Sequence, residues 1–306
     1  MTHVPVMLRE ALDYLQVLAG GTYLDATLGA GGHAEAILER LGSGRLLAID
    51  RDPAAIQMAR QRLARLTSLA GDPQRLRVHE GNFADVEAIH AASGLPLLDG
   101  ALADLGVSSM QLEDAERGFS FSRSGPLDMR MSPRDEMTAA EIVNQMPEHD
   151  LADLIYRFGE ERHSRRIARA IMKARPFRDT TDLAQVVRRA NPSRTGLHQI
   201  DAATRTFMAL RLAVNKEMES LEAFLAHLPA VMRPGGRVVI ISFHSLEDRI
   251  VKTTFRSWKQ AGRARLLTPK VVTASEEEVR ANPRSRSAKL RAVEMSPGGQ
   301  EAPAKD

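Results

Sequence analysis

Short apolar runs alternate with stretches of helical periodicity along the first third of the chain. The apolar runs predict strands at 22–26, 45–50, near 77–79 and at 100–105, and the stretches between them predict helices at 33–40 and 53–66. Strand, helix and strand at this spacing indicate parallel βαβ units. The first third therefore predicts a doubly wound α/β sheet.

The strand pattern stops near position 111, and no convincing strand is predicted before 199. The segment 117–135 is rich in Gly, Ser, Pro and Met, which indicates an ordered but irregular loop. Leu151, Leu154, Ile155 and Phe158 then recur at the spacing of an apolar helix face. Pro176 ends a further helix, and 181–190 predicts another.

The α/β pattern resumes at Ala202 with one long helix, which is predicted to run to about Met232. A turn at 233–236 leads into a strongly β-branched strand at 237–243. The next helix is predicted at 245–256, with Ser245 as its N-cap and Asp248 at the third helical position. Two β-rich runs follow, at 266–273 and 290–295. We therefore predict a sheet domain formed by 1–112 and 200–306, with an all-helical insert at 113–199.

Composition narrows the class of protein. Of the 306 residues, 43% are apolar and 26% are charged, as is usual for globular proteins. The absence of cysteine excludes disulfides, thiolate metal sites and a cysteine nucleophile. The polar N-terminus, with Pro5, lacks the pattern of a signal peptide, and no apolar run approaches the ~20 residues that span a bilayer. A soluble cytoplasmic protein with no membrane partner is expected. Since the histidines show no paired ligand spacing, no metal site is predicted.

Positive charge is concentrated locally, although the formal net charge is only +3. Arginines are dense at 157–211 and again at 256–291, and such patches suit a phosphate backbone. Four of them recur at helical spacing and are predicted to form a basic helix face: Arg162, Arg165, Arg166 and Arg169. Interleaved acids, among them Glu160 and Glu161, leave a salt-bridged solvated surface as an equal alternative.

A glycine-rich loop at 29–32 lies between the first predicted strand and helix. Glycines there let the backbone approach a ligand closely, and Asp50, 19 residues after Gly31, could bind the ribose hydroxyls of a nucleoside. The loop also passes a relaxed dinucleotide fingerprint, so a nicotinamide-dependent oxidoreductase is one alternative. Asp25, placed to hold a ligand amine, and the turn before the late strand favour S-adenosylmethionine instead.

More specific motifs occur in order over nearly the whole chain. They are HVPVML at 3–8, GGH at 31–33, AIDRDP at 48–53, DLGVSS at 104–109, ERGFSF at 116–121, GPLDMR at 125–130, GEER at 159–162, ATRTF at 203–207, ISFHSLEDR at 241–249 and NPRSR at 282–286. With these motifs the chain resembles the bacterial ribosomal RNA small subunit methyltransferase H family, also called MraW.

The resemblance implies a Rossmann-like class I S-adenosylmethionine-dependent methyltransferase sheet with an inserted helical domain. It implies methyl transfer from S-adenosylmethionine to N4 of a cytidine in the decoding centre of 16S ribosomal RNA, near the P-site codon. The family's cofactor residues correspond to Gly31, Gly32, His33, Asp50, Phe83, Asp104 and Gln111.

Familiar amino-methyltransferases carry Asp, Asn or Ser, then Pro-Pro and an aromatic, after the fourth strand. Here the segment is DLGVS at 104–108, without the prolines or the aromatic. Asp104 can still accept a hydrogen bond, and Ser108 and His244 are the other catalytic candidates. The aromatic that stacks on the base is expected to be Phe119, Phe121 or Phe243.

Substrate recognition is expected from the helical insert. The arginine face is the leading candidate, joined by Arg117 and Arg130 in the irregular loop, which could cover a flipped base. The expected partner is small-subunit ribosomal RNA or the small ribosomal subunit itself. A non-catalytic ribosome assembly factor remains an alternative, and a homodimer is left open.

Overall fold

A computed structural model describes residues 5–69, 73–192 and 201–297 of the chain. The described chain divides into two compact units. One is a sheet unit, made of the chain up to Gly106 and from Met218 onward, and the other is a helical unit, Val107–Glu217. The predicted insert, 113–199, falls inside the helical unit.

The sheet unit is built on one sheet of eight strands in the order β3-β2-β1-β4-β5-β8-β6, with β7 paired to β8. Neighbouring strands from β3 to β5 are parallel, and β8 runs antiparallel to β5, β6 and β7. This topology confirms the predicted Rossmann-like sheet. The strands are β1 Thr22–Asp25, β2 Arg45–Asp50, β3 Leu76–Glu80, β4 Leu98–Asp104, β5 Met232–Ser242, β6 Ala264–Leu266, β7 Val272–Thr273 and β8 Lys289–Met295.

Apolar side chains on both faces of the central strands explain why the sheet is covered twice. Within β2, Leu46 and Ala48 belong to one buried cluster, whereas Leu47 and Ile49 belong to another. Successive side chains of a strand point to opposite faces, so each cluster packs a different layer of helices onto the sheet. The helices of this unit are α1 Leu8–Leu15, α2 Gly32–Leu41, α3 Pro53–Leu69, α4 Val86–Ser93, α11 Glu217–Val231, α12 Ser245–Gln260 and α13 Glu276–Ala281.

The helical unit has a core of its own. Leu151, Ile167, Leu183 and Leu210, each from a different helix, are buried together in it. Its first part is irregular, as predicted, apart from short helical turns. The helices are α5 Ser109–Glu113, α6 Ala139–Gln145, α7 Glu148–Gly159, α8 Ser164–Ala174, α9 Thr180–Ala190 and α10 Ala202–Asn215.

The predicted long helix from Ala202 to Met232 is wrong, because the structure has two helices, α10 and α11. Lys216 between them adopts a left-handed backbone conformation, with φ of 49°. A tertiary contact fixes this break: the buried amide of Asn215 accepts from Met131 N–H and donates to Met129 O, at 2.7 and 2.8 Å. Helix α10 therefore belongs to the helical unit, although the α/β pattern was expected to resume there.

The predicted turn at 233–236 lies within β5, where it forms an irregularity. Leu98 of β4 pairs with Met232, and Gly100 already pairs with Arg237, so the extra residues bulge from the ladder. Gly235 there has φ of 78°, a conformation that favours glycine. In the described ranges of the chain, no helix is long and apolar enough to cross a membrane.

Two glycines of the sheet unit are required for different reasons, one for lack of space around a Cβ and the other for a left-handed backbone conformation. A Cβ on Gly44 would lie 2.3 Å from Gly21 O, where the α2–β2 turn passes the start of β1, whereas a Cβ on Gly94 would meet nothing within 4 Å. Gly94 instead has φ of 62°. Gly94→Ala should cost only the left-handed conformation, roughly 1 kcal/mol, and Gly44→Ala more than about 2 kcal/mol, because backbone must move.

Thermal or urea unfolding of the two alanine variants beside the parent chain measures this difference in free energy of unfolding. Equal destabilisation of both variants, or a milder effect at Gly44, would contradict the close approach of the two segments.

Candidate active site

Three carboxylates end three adjacent strands at the carboxyl edge of the sheet. Asp25 is the last residue of β1, Asp50 of β2 and Asp104 of β4, and these strands neighbour one another in the order β2-β1-β4. The chain turns back across the sheet between β1 and β4, so this is a topological switch point. Ligands of open α/β sheets bind in the crevice at such a point.

Asp50 holds the glycine loop in place. Its Oδ2 accepts a hydrogen bond from Gly29 N–H at 2.7 Å, and its Oδ1 accepts from Asp52 N–H at 2.9 Å. Burial raises the pKa of Asp50 to about 6, although these backbone hydrogen bonds act to lower it. The side chain is only partly buried, and a carboxylate has further lone pairs. Asp50 can therefore still accept hydrogen bonds from ribose hydroxyls, as predicted for it.

Asp25 is almost fully buried, with 1% of its surface exposed. Its Oδ1 accepts from Thr27 N–H at 3.1 Å, but its buried Oδ2 has no hydrogen-bond partner among the described residues. Burial and the nearby charge of Asp50 raise the pKa of Asp25 to about 7, although the backbone N–H groups of Thr27 and Ala34 act to lower it. Asp25 is thus a buried carboxyl whose Oδ2 has no hydrogen bond of normal length from a described residue.

Asp104 is less buried, with 23% of its side chain exposed, but it also has an oxygen without a donor. Its backbone N–H donates to Thr27 Oγ1 at 2.6 Å, and its Oδ2 lies 3.7 Å from Nδ1 of His33. Its Oδ1 is buried with no hydrogen-bond partner in the part of the chain that the structure describes. Burial raises the pKa of Asp104 well above its usual range, and repulsion from Asp25 and Glu247 adds to the effect.

Buried acceptors without donors cost free energy, about 1–3 kcal/mol each, unless a ligand supplies the donors. The orphaned oxygens of Asp25 and Asp104 lie at the same sheet edge, beside the Asp50 carboxylate. Ligands that bring N–H groups or positive charge to this edge would satisfy them. S-adenosylmethionine carries an ammonium and a sulfonium, so the residues present fit the predicted cofactor.

The N-terminal segment closes one side of this site. His33 Nε2 lies 3.1 Å from Val6 O, which links the segment to the imidazole that faces Asp104. A Cβ on Gly32 would come within 2.4 Å of Pro5 Cγ, so glycine is needed here for the N-terminal segment to pack. The first two residues of the HVPVML motif at 3–8 lie outside the described residues. Pro5 and Val6 of the motif contact Gly32 and His33.

Phe83 follows β3 in a short helical turn, Phe83–Asp85. Its ring packs edge-on against Phe224, with 5.2 Å between the centroids, and it is only partly buried. Phe83 thus has a fixed ring at the same sheet edge, which suits its predicted contact with adenine.

The loop after β5 is fixed by a buried acid that the sequence analysis did not single out. Glu247, 2% exposed, accepts hydrogen bonds through Oε2 from the N–H groups of Phe243 and His244, at 2.8 and 3.3 Å. His244 is the N-cap of α12, and its Nδ1 accepts from Glu247 N–H at 3.4 Å.

The predicted cap, Ser245 with Asp248, is therefore wrong. Asp248 is instead paired with Arg291 at 2.6 Å, and Ser242 Oγ donates to Lys289 O. The signal that could have found the cap is the spacing His244-x-x-Glu247, which places an acid at the third helical position.

The three candidate stacking aromatics have different surroundings. Phe119 is buried in the core of the helical unit, and Phe121 packs against Phe207 with Arg188 over its ring. Phe243 is half-buried in the sheet unit, and its ring lies 3.7 Å from where a Cβ on Gly106 would be. Phe243 therefore lies beside the segment that begins with Asp104.

Ser108 and Gln111 belong to the helical unit, where they form a reciprocal cap of α5. Ser108 Oγ accepts from Gln111 N–H at 3.3 Å, and Gln111 Oε1 accepts from Ser108 N–H at 2.9 Å. This pairing accounts for the local conformation after the DLGVS segment. The predicted roles of Ser108 in catalysis and Gln111 in cofactor binding stay predictions.

The two loop arginines are engaged within the helical unit. Arg117 donates through Nη2 to the carbonyls of Arg130 and Met131, both at 3.0 Å. Arg130 forms a bidentate pair with Asp128 and also donates to the carbonyls of Pro133 and Asp135. These guanidinium groups therefore shape the irregular loop.

The predicted arginine face is exposed, with one correction to its position on the helix. Arg162 lies in a turn before α8, so only the other three are helical. Arg166 contacts Asn191 at 3.2 Å and Arg169 contacts Glu148 at 3.4 Å, whereas Arg162 and Arg165 have no ion pair with any described residue.

Over the described ranges, no group of three or more His, Asp or Glu could hold a metal ion.

The raised pKa of Asp25 predicts a trade between stability and cofactor binding. The pKa of Asp25 is about 7 in the folded protein and about 4 in the unfolded chain, so ionisation of Asp25 favours unfolding. The resulting loss in free energy of unfolding grows as the pH rises from about 4 to 7 and is complete at about pH 8. Asp25→Asn should therefore stabilise the cofactor-free protein at about pH 8, by on the order of 1 kcal/mol or more. The same change should weaken S-adenosylmethionine binding, because it removes the negative charge.

Thermal unfolding and calorimetric titration with the cofactor measure the two effects. The stabilisation should shrink at about pH 5, where part of the cost is already absent. Lower stability of Asp25→Asn at about pH 8, together with undiminished cofactor affinity, would contradict the role of Asp25 as a buried acid that binds the positive charge of the cofactor.

The family model and the sequence relatives that match this chain point to the same family. The sequence model of the MraW methylase family matches residues 1–296. Ribosomal RNA small subunit methyltransferase H of Koribacter versatilis is 54% identical over 95% of this chain and 93% of its own length. The protein of the same name from Acidobacterium capsulatum is 53% identical over 95% of this chain and 98% of its own.

A solved rRNA methylase from Streptococcus thermophilus also resembles the chain, with a TM-score of 0.46 and 11% identity over 97% of this chain and 99% of the other. The assignment rests on the sequence matches, which exclude the oxidoreductase alternative and confirm S-adenosylmethionine as the cofactor. The chain belongs to the MraW methylase family.

Proposed function

We propose that this protein transfers a methyl group from S-adenosylmethionine to N4 of a cytidine in the decoding centre of 16S ribosomal RNA, near the P-site codon. Its close relatives are named ribosomal RNA small subunit methyltransferase H, which supports a small-subunit RNA substrate. The observation that carries the proposal is Asp104, whose buried Oδ1 lacks a donor at the carboxyl edge of the sheet. The exocyclic amine of cytosine supplies such a donor.

The cofactor is held by residues of the sheet edge. Asp50 takes the ribose hydroxyls, Asp25 takes the ammonium through its free Oδ2, and Phe83 lies against the adenine. Gly31 and Gly32, with His33, form the loop under the cofactor, and Gln111 is a further cofactor-binding candidate. When bound, S-adenosylmethionine supplies an electrophilic methyl group on a positively charged sulfur. That charge favours the ionised forms of Asp25 and Asp104, which burial alone disfavours.

Asp104 acts on the nucleophile. The lone pair of the cytosine amine is delocalised into the ring, so the nitrogen is a weak nucleophile. A carboxylate oxygen of Asp104 that accepts one amine N–H favours rehybridisation and orients the nitrogen for methyl transfer. With the cofactor bound, the nitrogen would gain the methyl group that the sulfur gives up, and it would become acidic as it did so. Its proton passes to the carboxylate or to water, so no strong base is required.

Phe243 is the stacking partner proposed for the flipped base. It lies beside Gly106, two residues after Asp104, and Glu247 fixes its backbone. A base held against an aromatic ring gains about 1–3 kcal/mol. This arrangement supplies what the aromatic of the Pro-Pro motif supplies elsewhere. His244, held by the same Glu247, and Ser108 are further candidates for contacts to the nucleotide.

The helical unit supplies RNA recognition in this proposal. Arg162 and Arg165 are exposed and without ion pairs to described residues, so their charge is available to phosphates. Arg166 and Arg169 extend the same surface, and their long contacts to Asn191 and Glu148 are weak competitors. Arg117 and Arg130 contribute by holding the irregular loop in shape. The reaction takes place on the small subunit or its RNA, in the cytoplasm.

Methyl transfer tests the proposal directly. Small ribosomal subunits that lack the modification are incubated with the protein and S-adenosylmethionine carrying a labelled methyl group. Label should be recovered as N4-methylcytidine from 16S ribosomal RNA. Asp104→Ala should lower kcat/KM by about 100-fold or more, since it removes a positioned acceptor of the reacting amine.

Asp13→Ala, at an exposed position of α1, is the matched control and should keep full activity. Label in another nucleoside, or unchanged turnover in Asp104→Ala, would contradict the proposal. Subunit binding with no transfer by the parent protein would favour a non-catalytic assembly factor.

A further inference from the structure

The segment that leads into β8 carries positive charge without any acid. From Val279 to Val293 the chain holds five cationic side chains and no Asp or Glu: Arg280, Arg284, Arg286, Lys289 and Arg291. The segment contains the NPRSR motif at 282–286, which the cofactor site does not use. A run of one sign of charge on a compact unit suits a polyanion.

The sheet register places this segment next to the active site. Lys289, the first residue of β8, pairs with Ser242 at the carboxyl end of β5, and Ile241 of β5 pairs with Asp104. Lys289 is therefore two strand spacings from Asp104, about 10 Å across the sheet. The NPRSR motif ends at Arg286, with Ser287 and Ala288 between it and Lys289, so it lies near the same carboxyl edge.

The segment has a fixed conformation. Ser285 is fully buried, and both its N–H and its Oγ donate to Asn282 O, at 2.9 and 2.8 Å. Ala288 N–H then donates to Ser285 O at 2.9 Å. Because Ser285 faces inward, the arginines on either side of it, Arg284 and Arg286, are exposed.

A contact to the N-terminus anchors the same region. Glu278 of α13 accepts from Met7 N–H at 2.6 Å, immediately after Pro5 and Val6. Those two residues pack against the glycine loop and His33. The basic segment is thus held against the part of the chain that borders the cofactor loop.

The charges of the segment are not equally compensated. Arg291 is neutralised by Asp248, at 2.6 and 3.1 Å. Arg286 and Lys289, in contrast, make no ion pair with any residue in the described ranges. Arg286, in the turn, and Lys289, at the start of β8, are therefore two cations beside the nucleotide site. They suit the phosphates of an RNA strand whose base enters that site.

We infer that Arg286 and Lys289 bind backbone phosphates that flank the target nucleotide, so that the sheet unit has its own RNA anchor in addition to the helical unit. This inference rests on the proposed RNA substrate. It concerns phosphates, so the anchor adds affinity and orientation with no choice of base.

The salt dependence of binding tests the anchor. Each phosphate contact contributes about 0.7–0.9 to the slope of log K against log salt concentration. Arg286→Ala with Lys289→Ala should therefore weaken binding to unmodified small subunits and reduce the slope by about 1.4–1.8. KM for the subunit should rise, while kcat and the affinity for S-adenosylmethionine stay near those of the parent.

Arg256→Ala with Lys259→Ala is the matched control. Both residues are exposed near the end of α12, which runs back from the carboxyl edge, so the charge loss is equal but distant. The control should leave the slope unchanged.

An equal slope for the parent and the Arg286 and Lys289 variant, or an equal loss in the control, would overturn the anchor. A parent protein that binds subunits but forms no N4-methylcytidine would contradict the proposed reaction only, since the slopes still decide the anchor.

Discussion

A cluster of acids, whose ionised forms burial disfavours, at the carboxyl edge of the sheet is the constraint on which the site depends. Asp25, Asp50 and Asp104 end neighbouring strands, and Glu247 adds a buried carboxyl close to Asp104. The sheet brings them together because parallel strands end at one edge. Burial disfavours their charged forms, and their mutual repulsion adds to that cost. A cationic methyl donor offsets both the effect of burial and the repulsion between the acids. Cofactor binding is therefore coupled to the ionisation of Asp25 and Asp104.

The surrounding contacts hold these acids in position without neutralising them. Thr27 donates its N–H to Asp25 and accepts the N–H of Asp104 through Oγ1. The backbone of Gly29 supports Asp50, and Glu247 orders the loop that carries Phe243. Backbone N–H groups donate to one carboxylate oxygen of Asp25 and to one of Asp50. Other lone pairs of these carboxylates can accept hydrogen bonds from a ligand. Such pre-organisation is what positioning catalysis requires.

Sequence patterns predicted the parts of the structure that local periodicity controls. The strand at 45–50 has the predicted bounds, and Asp50 is its last residue as predicted. Asp25 was predicted inside a strand at 22–26 and is instead the last residue of β1. The break at Lys216 could not be predicted, because no glycine or proline marks it and the buried Asn215 makes its contacts 84 and 86 residues away.

The candidate site shows the same division between local and tertiary information. Glycines, acids and motifs indicated the cofactor residues, but the role of Glu247 depends on burial that its polar, helical sequence context hides. The helix cap at His244 was mistaken for one at Ser245, since serine is the commoner cap and both registers place an acid at the third position. The engagement of Arg117 and Arg130 in their own loop depends on carbonyl positions that no spacing predicts.

Proton release on cofactor binding is the measurement that tests this account most directly. The protein is titrated with S-adenosylmethionine at about pH 6.5 in buffers of different ionisation enthalpy, which gives the number of protons exchanged. We expect release of about one proton or more, because Asp25 and Asp104 ionise as the cation binds. Release should be smaller with S-adenosylhomocysteine, which lacks the sulfonium charge. Tight binding of both ligands with no proton exchange would contradict this account, since the buried acids would then not respond to the charge of the cofactor.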